Sequence, residues 1–184
     1  MEIVKLTKNT DIKIFEEVAS LHKQSLQKTI ASSLSVNKLA KVYLYLVDKQ
    51  LIKMIISISN SSISGSLSYK EPKRRTSIIN LIFLSLKSMT GFIRHPIIWI
   101  TEFYYKIGLY KNINSKVNII TLFVKEEFQN KKIGKLLIDN IINEYKNDIT
   151  VDTRVNNKSA LNFYINNKFE IQNKNKKNIV LKKK

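Results

Sequence analysis

Residues 117–145 read VNIITLFVKEEFQNKKIGKLLIDNIINEY, and this stretch decides the fold prediction. Its first part, Val117–Val124, is apolar and β-branched along most of its length, which is typical of a central strand covered on both faces. After a polar connection, apolar residues recur at helical spacing from Ile133 to Tyr145. The stretch therefore predicts a buried strand followed by an amphipathic helix.

The turn between that strand and that helix has the features of an anion site. A helix N-terminus presents backbone N–H groups without intrahelical partners, and the helix dipole adds positive potential there. Lys131, Lys132 and Lys135 bring positive charge to this end, where an acidic side chain is the usual stabilising choice. Each lysine costs at most about 0.3–1 kcal/mol, and a bound polyanion would reverse that penalty. The pattern favours a phosphate-bearing ligand near Gly134.

The rest of the second half continues the alternation of strands and helices. Residues 148–155 (DITVDTRV) predict a strand, and residues 156–169 (NNKSALNFYINNKF) predict a short helix. FEIQ and NIVLKK then predict a closing hairpin around NKNKK. From Val117 the order is strand, helix, strand, helix, strand, strand.

The first half predicts a strand, two helices and a hairpin. EIVKLTK alternates as a strand does, Asp11 opens a helical pattern, and Ser35 caps a second helix. Two β-rich runs flank the polar residues Ser59–Ser62, as in a hairpin.

Residues 71–116 have a different character and predict two further helices. Pro96 suits a first helical position, and Trp99, Phe103 and Ile107 repeat at helical spacing. This segment packs against the sheet, or forms an apolar lid, a homodimer face or a membrane-surface patch, and the sequence leaves these alternatives open.

The amino-acid composition excludes several kinds of site and mechanism. The 184 residues suit one domain, and the absence of cysteine excludes a disulfide framework, a thiolate metal site and a cysteine-linked acyl-enzyme. The two histidines, His22 and His95, lie far apart in the sequence, which argues against a metal site. No apolar tract is long enough for a transmembrane helix, and the N-terminus does not resemble a signal peptide, so we expect a cytoplasmic protein.

The formal net charge of +18 comes mainly from lysine. The lysines are scattered, and Lys182–Lys184 is the only run of three consecutive lysines, so a residue-usage bias of the source explains the charge better than an anionic partner does. No nucleic-acid-binding motif is present.

LFVKEEFQNKKIGKLLI, residues 122–138, resembles the signature of the GNAT acetyltransferase superfamily. In that family, a strand ending in an apolar-x-Val unit leads into a Gln/Arg-x-x-Gly-x-Gly/Ala turn that cradles the pyrophosphate of acetyl-CoA. Gln129 begins the matching turn, Lys132 stands at its first glycine position, and Gly134 keeps the second. A lysine at the first position can still donate its N–H if its φ is ordinary.

VDTRVNNKSALNFYINNKFEI, residues 151–171, is similar to a later segment of the same family. The family's positions are occupied by Asn157, Ala160, Phe163, Tyr164 and Phe169, with Lys168 in place of a glycine. The resemblance implies that Tyr164 lies near the thioester sulfur and protonates the leaving thiolate. Asn157 also suits a helix N-cap, and Phe163 and Phe169 suit the core.

The resemblance implies a single domain, residues 1–184, of α/β class. A mixed, mostly antiparallel central sheet would be flanked by helices on both faces, with a helical insertion at about 71–116. The implied reaction moves an acetyl group from acetyl-CoA to an amine of a small molecule or sugar, by direct attack in a ternary complex. The implied cofactor-binding residues are Leu122, Phe123, Val124, Gln129, Asn130, Lys131, Lys132, Ile133, Gly134, Lys135, Asn157 and Tyr164, with no metal.

The general base is the open point, because the predicted cofactor strand carries no carboxylate. His22 could titrate near neutrality and is a catalytic candidate with Tyr164, although a half-exposed helix residue is the simpler interpretation. Glu102, Asp152 and Tyr104 are further options, and a water relay would need no strong base.

Two alternative functions remain open at this point. One is a protein N-terminal or lysine acetyltransferase, which the insertion disfavours because it would restrict an open peptide groove. The other is a GNAT-like module that binds without catalysis and uses its basic surface. A homodimer and peripheral membrane contact through the insertion also remain open.

Overall fold

The computed structural model describes residues 1–26, 31–71, 115–146 and 148–184. The helices predicted within residues 71–116 fall on residues 72–114, outside the described residues, and so do Glu102 and Tyr104. The alternatives for that segment, including a dimer face and membrane contact, therefore stay predictions. Among the described helices, none is long and apolar enough to cross a membrane.

One seven-stranded sheet organises the described chain, in the order β1-β2-β3-β4-β5-β7-β6. Its strands are β1 Glu2–Lys5, β2 Lys53–Ser59, β3 Ser62–Lys70, β4 Val117–Val124, β5 Ile149–Arg154, β6 Phe169–Lys174 and β7 Asn178–Lys183. Of the strand pairs in these ranges, only β4 and β5 run parallel. The first strand is shorter than predicted, whereas β4 has the predicted bounds.

Four α-helices are described: α1 Ile12–Ser25, α2 Val36–Asp48, α3 Ile133–Tyr145 and α4 Lys158–Asn166. The predicted caps are confirmed, because Asp11 accepts a hydrogen bond from the Lys13 N–H at 2.9 Å and Asn157 accepts one from the Ala160 N–H at 3.1 Å. Ser35 caps α2 in the same way. Each cap satisfies a backbone donor that a helix N-terminus leaves without an intrahelical partner.

The helices cover both faces of the sheet. Successive residues of a strand point to opposite faces. In β2, Met54 and Ile56 belong to the core under α1 and α2, whereas Ile55 between them belongs to the core under α3. The sheet is therefore sandwiched between helices, and the predicted fold class is confirmed.

The sheet opens between β4 and β5. Their ladder pairs only Val117–Ile119 with Ile149–Val151, although β4 runs on to Val124. On the other side of β4, Ser68 pairs with Thr121 and Tyr69 with Ile119, so one extra residue bulges out of β4. We call this opening, beyond Ile119 and Val151, the fork. It leaves the β5-facing edge of Leu122–Val124 without a strand partner in the described chain.

Candidate functional site

A cleft of about 560 Å³ lies at the fork. Its walls are the end of β4, the turn into α3, the first two turns of α4 and the C-terminal end of α1. The lining residues include most of the predicted cofactor-binding set, namely Leu122, Phe123, Val124, Gln129, Asn130, Lys132, Ile133, Gly134, Lys135, Asn157 and Tyr164. The fold thus brings together the two segments that carry the family resemblance.

Some of the lining differs from the predicted set. Lys131 does not line the cleft, and its ammonium lies 5.3 Å from the centroid of the Phe128 ring. Ser25 and Leu26 do line it, from the end of α1. No sequence pattern predicts that these two residues line the cleft, because α1 reaches the cleft only through its packing on the sheet.

Backbone donors of β4 face the fork. The Lys125 N–H donates to the Ser64 carbonyl of β3 at 2.9 Å. N–H groups alternate between the two edges of a strand, so those of Leu122 and Val124 point away from β3, towards the fork. The Val124 carbonyl on that edge accepts the Gln129 side-chain amide at 3.4 Å. The fork therefore offers two N–H groups to an extended ligand.

The N-terminus of α3 supplies a second set of donors. Its first turn contains no acidic residue, and Lys132, at the N-cap, makes no side-chain capping bond. The first N–H groups of a helix have no intrahelical acceptor, so they remain available to a ligand. Because Ile133, Gly134 and Lys135 line the cleft, the positive end of the helix lies at its wall.

Lys132 has a left-handed backbone, with φ 62° and ψ 10°. The ordinary φ on which donation by the Lys132 N–H was made conditional is therefore not present. Asn130 shares the left-handed conformation, with φ 60°, but asparagine tolerates it better than lysine does. A side chain with a Cβ costs roughly 1–2 kcal/mol in this region, which is why a glycine suits this position.

Lys132→Gly is expected to raise the free energy of unfolding by about 1 kcal/mol relative to Lys132→Ala, because alanine keeps the strained Cβ and glycine removes it. Chemical denaturation of both variants measures the difference. The matched control is Lys131, whose φ is not positive. There, glycine should be less stable than alanine, and the same sign at both positions would contradict the strain at Lys132.

Gly134 leaves room for the Phe163 ring. A Cβ at residue 134 would lie 3.1 Å from Phe163 Cζ and 3.2 Å from Phe163 Cε2. It would also lie 3.7 Å from Val124 Cγ2, an ordinary contact. A Cβ at residue 134 would therefore press on the Phe163 ring, which would have to move by a few tenths of an ångström, whereas the backbone angles of Gly134 are open to other residues.

Tyr164 lines the cleft, and only 5% of its surface is exposed. Its ring contacts Phe163 and Phe169 edge-on, with centroid distances of 5.3 and 5.4 Å. Burial, and to a smaller extent the charge of Asp152, raise the pKa of the Tyr164 hydroxyl well above its usual range. The hydroxyl therefore stays protonated at neutral pH and can donate a proton or a hydrogen bond.

His22 lies behind the cleft instead of lining it. It is 2% exposed, so the expectation of a half-exposed helix residue is wrong: the ring is enclosed between α1, α2 and β4. Its Nδ1 pairs with the Tyr43 hydroxyl of α2, and its ring contacts Phe123 at a centroid distance of 5.4 Å. Burial, and then Lys23, lower the pKa of His22 to about 4. This placement supports a role for His22 in packing, and it gives no support to a role as general base.

Acid is expected to destabilise the protein through His22. Its pKa is about 4 in the folded chain and about 6.5 when unfolded, so only the unfolded chain binds the proton between these values. The free energy of unfolding should therefore fall by up to about 1.4 kcal/mol per pH unit as the pH drops through this window. Urea titrations at pH 7, 6 and 5 measure the slope, and His22→Gln, which does not titrate, should flatten it. An unchanged slope in that variant would contradict the assignment.

No three histidine, aspartate or glutamate side chains within the described ranges lie close enough together to hold a metal ion.

Residues 98–169 match the model of the Acetyltransferase (GNAT) family. No curated protein sequence matches the chain. The fold is similar to that of the PaiA N-acetyltransferase of Thermoplasma acidophilum in complex with coenzyme A, at 16% identity and a TM-score of 0.61 over 100% of this chain and 99% of that one.

Two other solved structures have the same fold. The ribosomal-protein-alanine N-acetyltransferase of Brucella melitensis has 12% identity and a TM-score of 0.61, over 100% of this chain and 99% of that one. An aminoglycoside acetyltransferase from an uncultured soil metagenomic sample, in complex with trehalose, has 16% identity and a TM-score of 0.54, over 90% and 85% of the two chains. At these identities the likeness concerns the fold. The matched segment contains the turn into α3 and all of α4, so these two walls of the cleft lie in the region that is similar to the GNAT acetyltransferase family.

Proposed function

We propose that the protein is an acetyl-CoA-dependent N-acetyltransferase that acts on an amine of a small molecule or sugar. The observation that carries the proposal is the fork, where the free edge of β4 and the N-terminus of α3 face the same cleft. An extended, amide-containing arm ending in a diphosphate matches this arrangement, because the amides can pair with the strand edge and the phosphates with the helix N-terminus.

The cofactor would be held in two parts. Residues Gln129–Lys135 bind the diphosphate through the first N–H groups of α3, helped by the ammonium groups of Lys132 and Lys135. The edge of β4 binds the pantetheine arm and places the thioester carbonyl beside the N–H groups of Leu122 and Val124. These donors stabilise the negative charge that develops on the carbonyl oxygen during attack.

The transfer is a direct displacement. The amine nitrogen forms a bond to the carbonyl carbon, and the bond between that carbon and sulfur breaks. Tyr164 donates its proton to the leaving sulfur and is reprotonated from solvent, while the proton lost by the amine passes to water. The protonated state of the Tyr164 hydroxyl at neutral pH supports its role as the acid.

Calorimetric titration with acetyl-CoA, followed by a thiol-release assay, tests the proposal. The acceptor panel comprises an amino sugar, an aminoglycoside and a peptide with an N-terminal alanine. We expect saturable acetyl-CoA binding and thiol release with one of the first two acceptors. Release with the peptide alone would favour a protein acetyltransferase, and no binding at about millimolar acetyl-CoA would reject the proposal.

A further inference from the structure

We propose that Phe163 is a positioning residue: its ring, seated against Gly134, helps to fix α4 so that Tyr164 is held in the wall of the cleft. The inference deepens the proposed function and rests on it only for the chemical role of Tyr164. The contact between Phe163 and Gly134 can be tested without any amine acceptor.

Helix α4 needs an anchor outside itself. It contains nine residues, whereas isolated helices shorter than about 12–15 residues are marginal in water. Its caps are local, because Asn157 accepts from Ala160 and the Asn167 amide donates to the Phe163 carbonyl at 2.7 Å. These bonds define where the helix starts and ends, and they do not fix its position on the rest of the fold.

The Phe163 ring is one such anchor, beside Ala160 and Leu161, which also pack against the core, and Tyr164, which is buried in it. Its edge occupies the space that a side chain at residue 134 would need, as the distances of 3.1 and 3.2 Å from a Cβ there show. The ring therefore rests on the backbone of the first turn of α3. A methyl group added at residue 134 would therefore displace this ring by a few tenths of an ångström.

Tyr164 follows Phe163 directly, so its orientation depends on this contact. Neighbouring residues of an α-helix point about 100° apart. Phe163 faces α3, and Tyr164 turns into the core, where its ring meets Phe169. The two rings also touch each other edge-on, at a centroid distance of 5.3 Å. A displacement of the Phe163 ring is therefore passed to Tyr164 through both the helix backbone and the ring contact.

The same geometry gives Gly134 a role apart from phosphate binding. If Gly134 only allows a phosphate to approach the backbone closely, then the methyl group of Gly134→Ala should weaken ligand binding whatever residue stands at position 163. If the glycine makes room for Phe163, a smaller side chain at position 163 should relieve the effect of that methyl group. The two roles are therefore separated by a double-mutant cycle.

The experiment uses Gly134→Ala, Phe163→Leu and the double variant, with tyrosine labelled by ¹³C at Cζ. The Tyr164 resonance is identified by its loss in Tyr164→Phe. We expect it to shift in Gly134→Ala and to return most of the way towards the Phe163→Leu position in the double variant. Phe163→Met serves as a second relieving substitution should Phe163→Leu not fold. Asn162→Gly, at an exposed position in the interior of α4, is the control that loosens the helix without touching Gly134.

An unshifted Tyr164 resonance in Gly134→Ala would overturn the inference, and so would a shift that persists in full in the double variant. A shift of the same size in Asn162→Gly would also overturn it, because loosening the helix alone would then suffice. Titration with coenzyme A is run on each variant, and the affinity of Gly134→Ala should recover in the double variant to within about threefold of that of Phe163→Leu. If the wild-type protein binds no coenzyme A, the proposed function fails, whereas the resonance measurements still decide the role of Phe163.

Discussion

Replacing Gly134 by tryptophan is expected to abolish coenzyme A binding. A Cβ at this position already lies 3.1 Å from the Phe163 ring, so the indole cannot enter the interior and must extend into the cleft of about 560 Å³. There it covers the first turn of α3 and the N–H groups that would hold the diphosphate. We expect the affinity measured by calorimetry to fall at least about 100-fold, which corresponds to about 2.8 kcal/mol.

The matched control for this prediction is Asn140→Trp. Asn140 is exposed on the same helix and does not line the cleft, so the indole adds the same apolar surface without entering the site. It should bind coenzyme A with the wild-type affinity, and near-ultraviolet circular dichroism should show that both variants are folded. Wild-type affinity in Gly134→Trp would mean that the ligand does not occupy the turn into α3.

The alternation of strands and helices could be predicted because it depends on local rules. Val117–Val124 is apolar enough for a strand covered on both faces, and it has the predicted bounds. Asp11, Ser35 and Asn157 mark helix starts because a short polar side chain accepts from a nearby backbone N–H. Such signals need only a few neighbouring residues, so a single sequence contains them.

The site could be predicted only in part. All residues of the continuous segment Gln129–Lys135 except Lys131 line the cleft, and the sequence could place them together because the turn and the helix are adjacent in the chain. Ser25 and Leu26 reach the cleft through tertiary packing, to which no sequence spacing corresponds. His22 was misjudged for the same reason, since its burial depends on the contacts that α2 and Phe123 make with it.

Two lysines stand at positions where the resembled family has glycine, and their residue type does not predict their backbone conformation. Lys132 and Lys168 both adopt positive φ, at 62° and 64°, although lysine gives no sign of this conformation. The surrounding structure imposes it: Lys132 begins α3 at the turn from β4, and Lys168 separates α4 from β6. The fold therefore keeps the backbone that a glycine would adopt most easily, at a cost in strain.

Replacing Tyr164 by phenylalanine is expected to slow acetyl transfer by about 10²–10⁴-fold while leaving coenzyme A affinity unchanged. The ring contacts with Phe163 and Phe169 remain, so the cleft keeps its shape, and only the proton donor is lost. Thiol release under saturating substrates measures the turnover, and calorimetry measures the affinity. A loss of affinity as large as the loss of turnover would assign Tyr164 to cofactor binding instead of proton transfer.

Tyr43→Phe is the matched control, because Tyr43 is also 5% exposed and burial also raises its pKa, yet its hydroxyl pairs with His22 outside the cleft. Its turnover should equal that of the wild type if position, and not burial alone, makes Tyr164 the acid.

The pH dependence of turnover gives a second check on the role of Tyr164. Burial disfavours the tyrosinate and raises the pKa of Tyr164, so the acid stays protonated beyond the usual tyrosine value of about 10. Wild-type turnover should therefore show no alkaline decline from Tyr164 below about pH 10, and a decline near pH 8 that vanishes in Tyr164→Phe would contradict the buried, protonated hydroxyl.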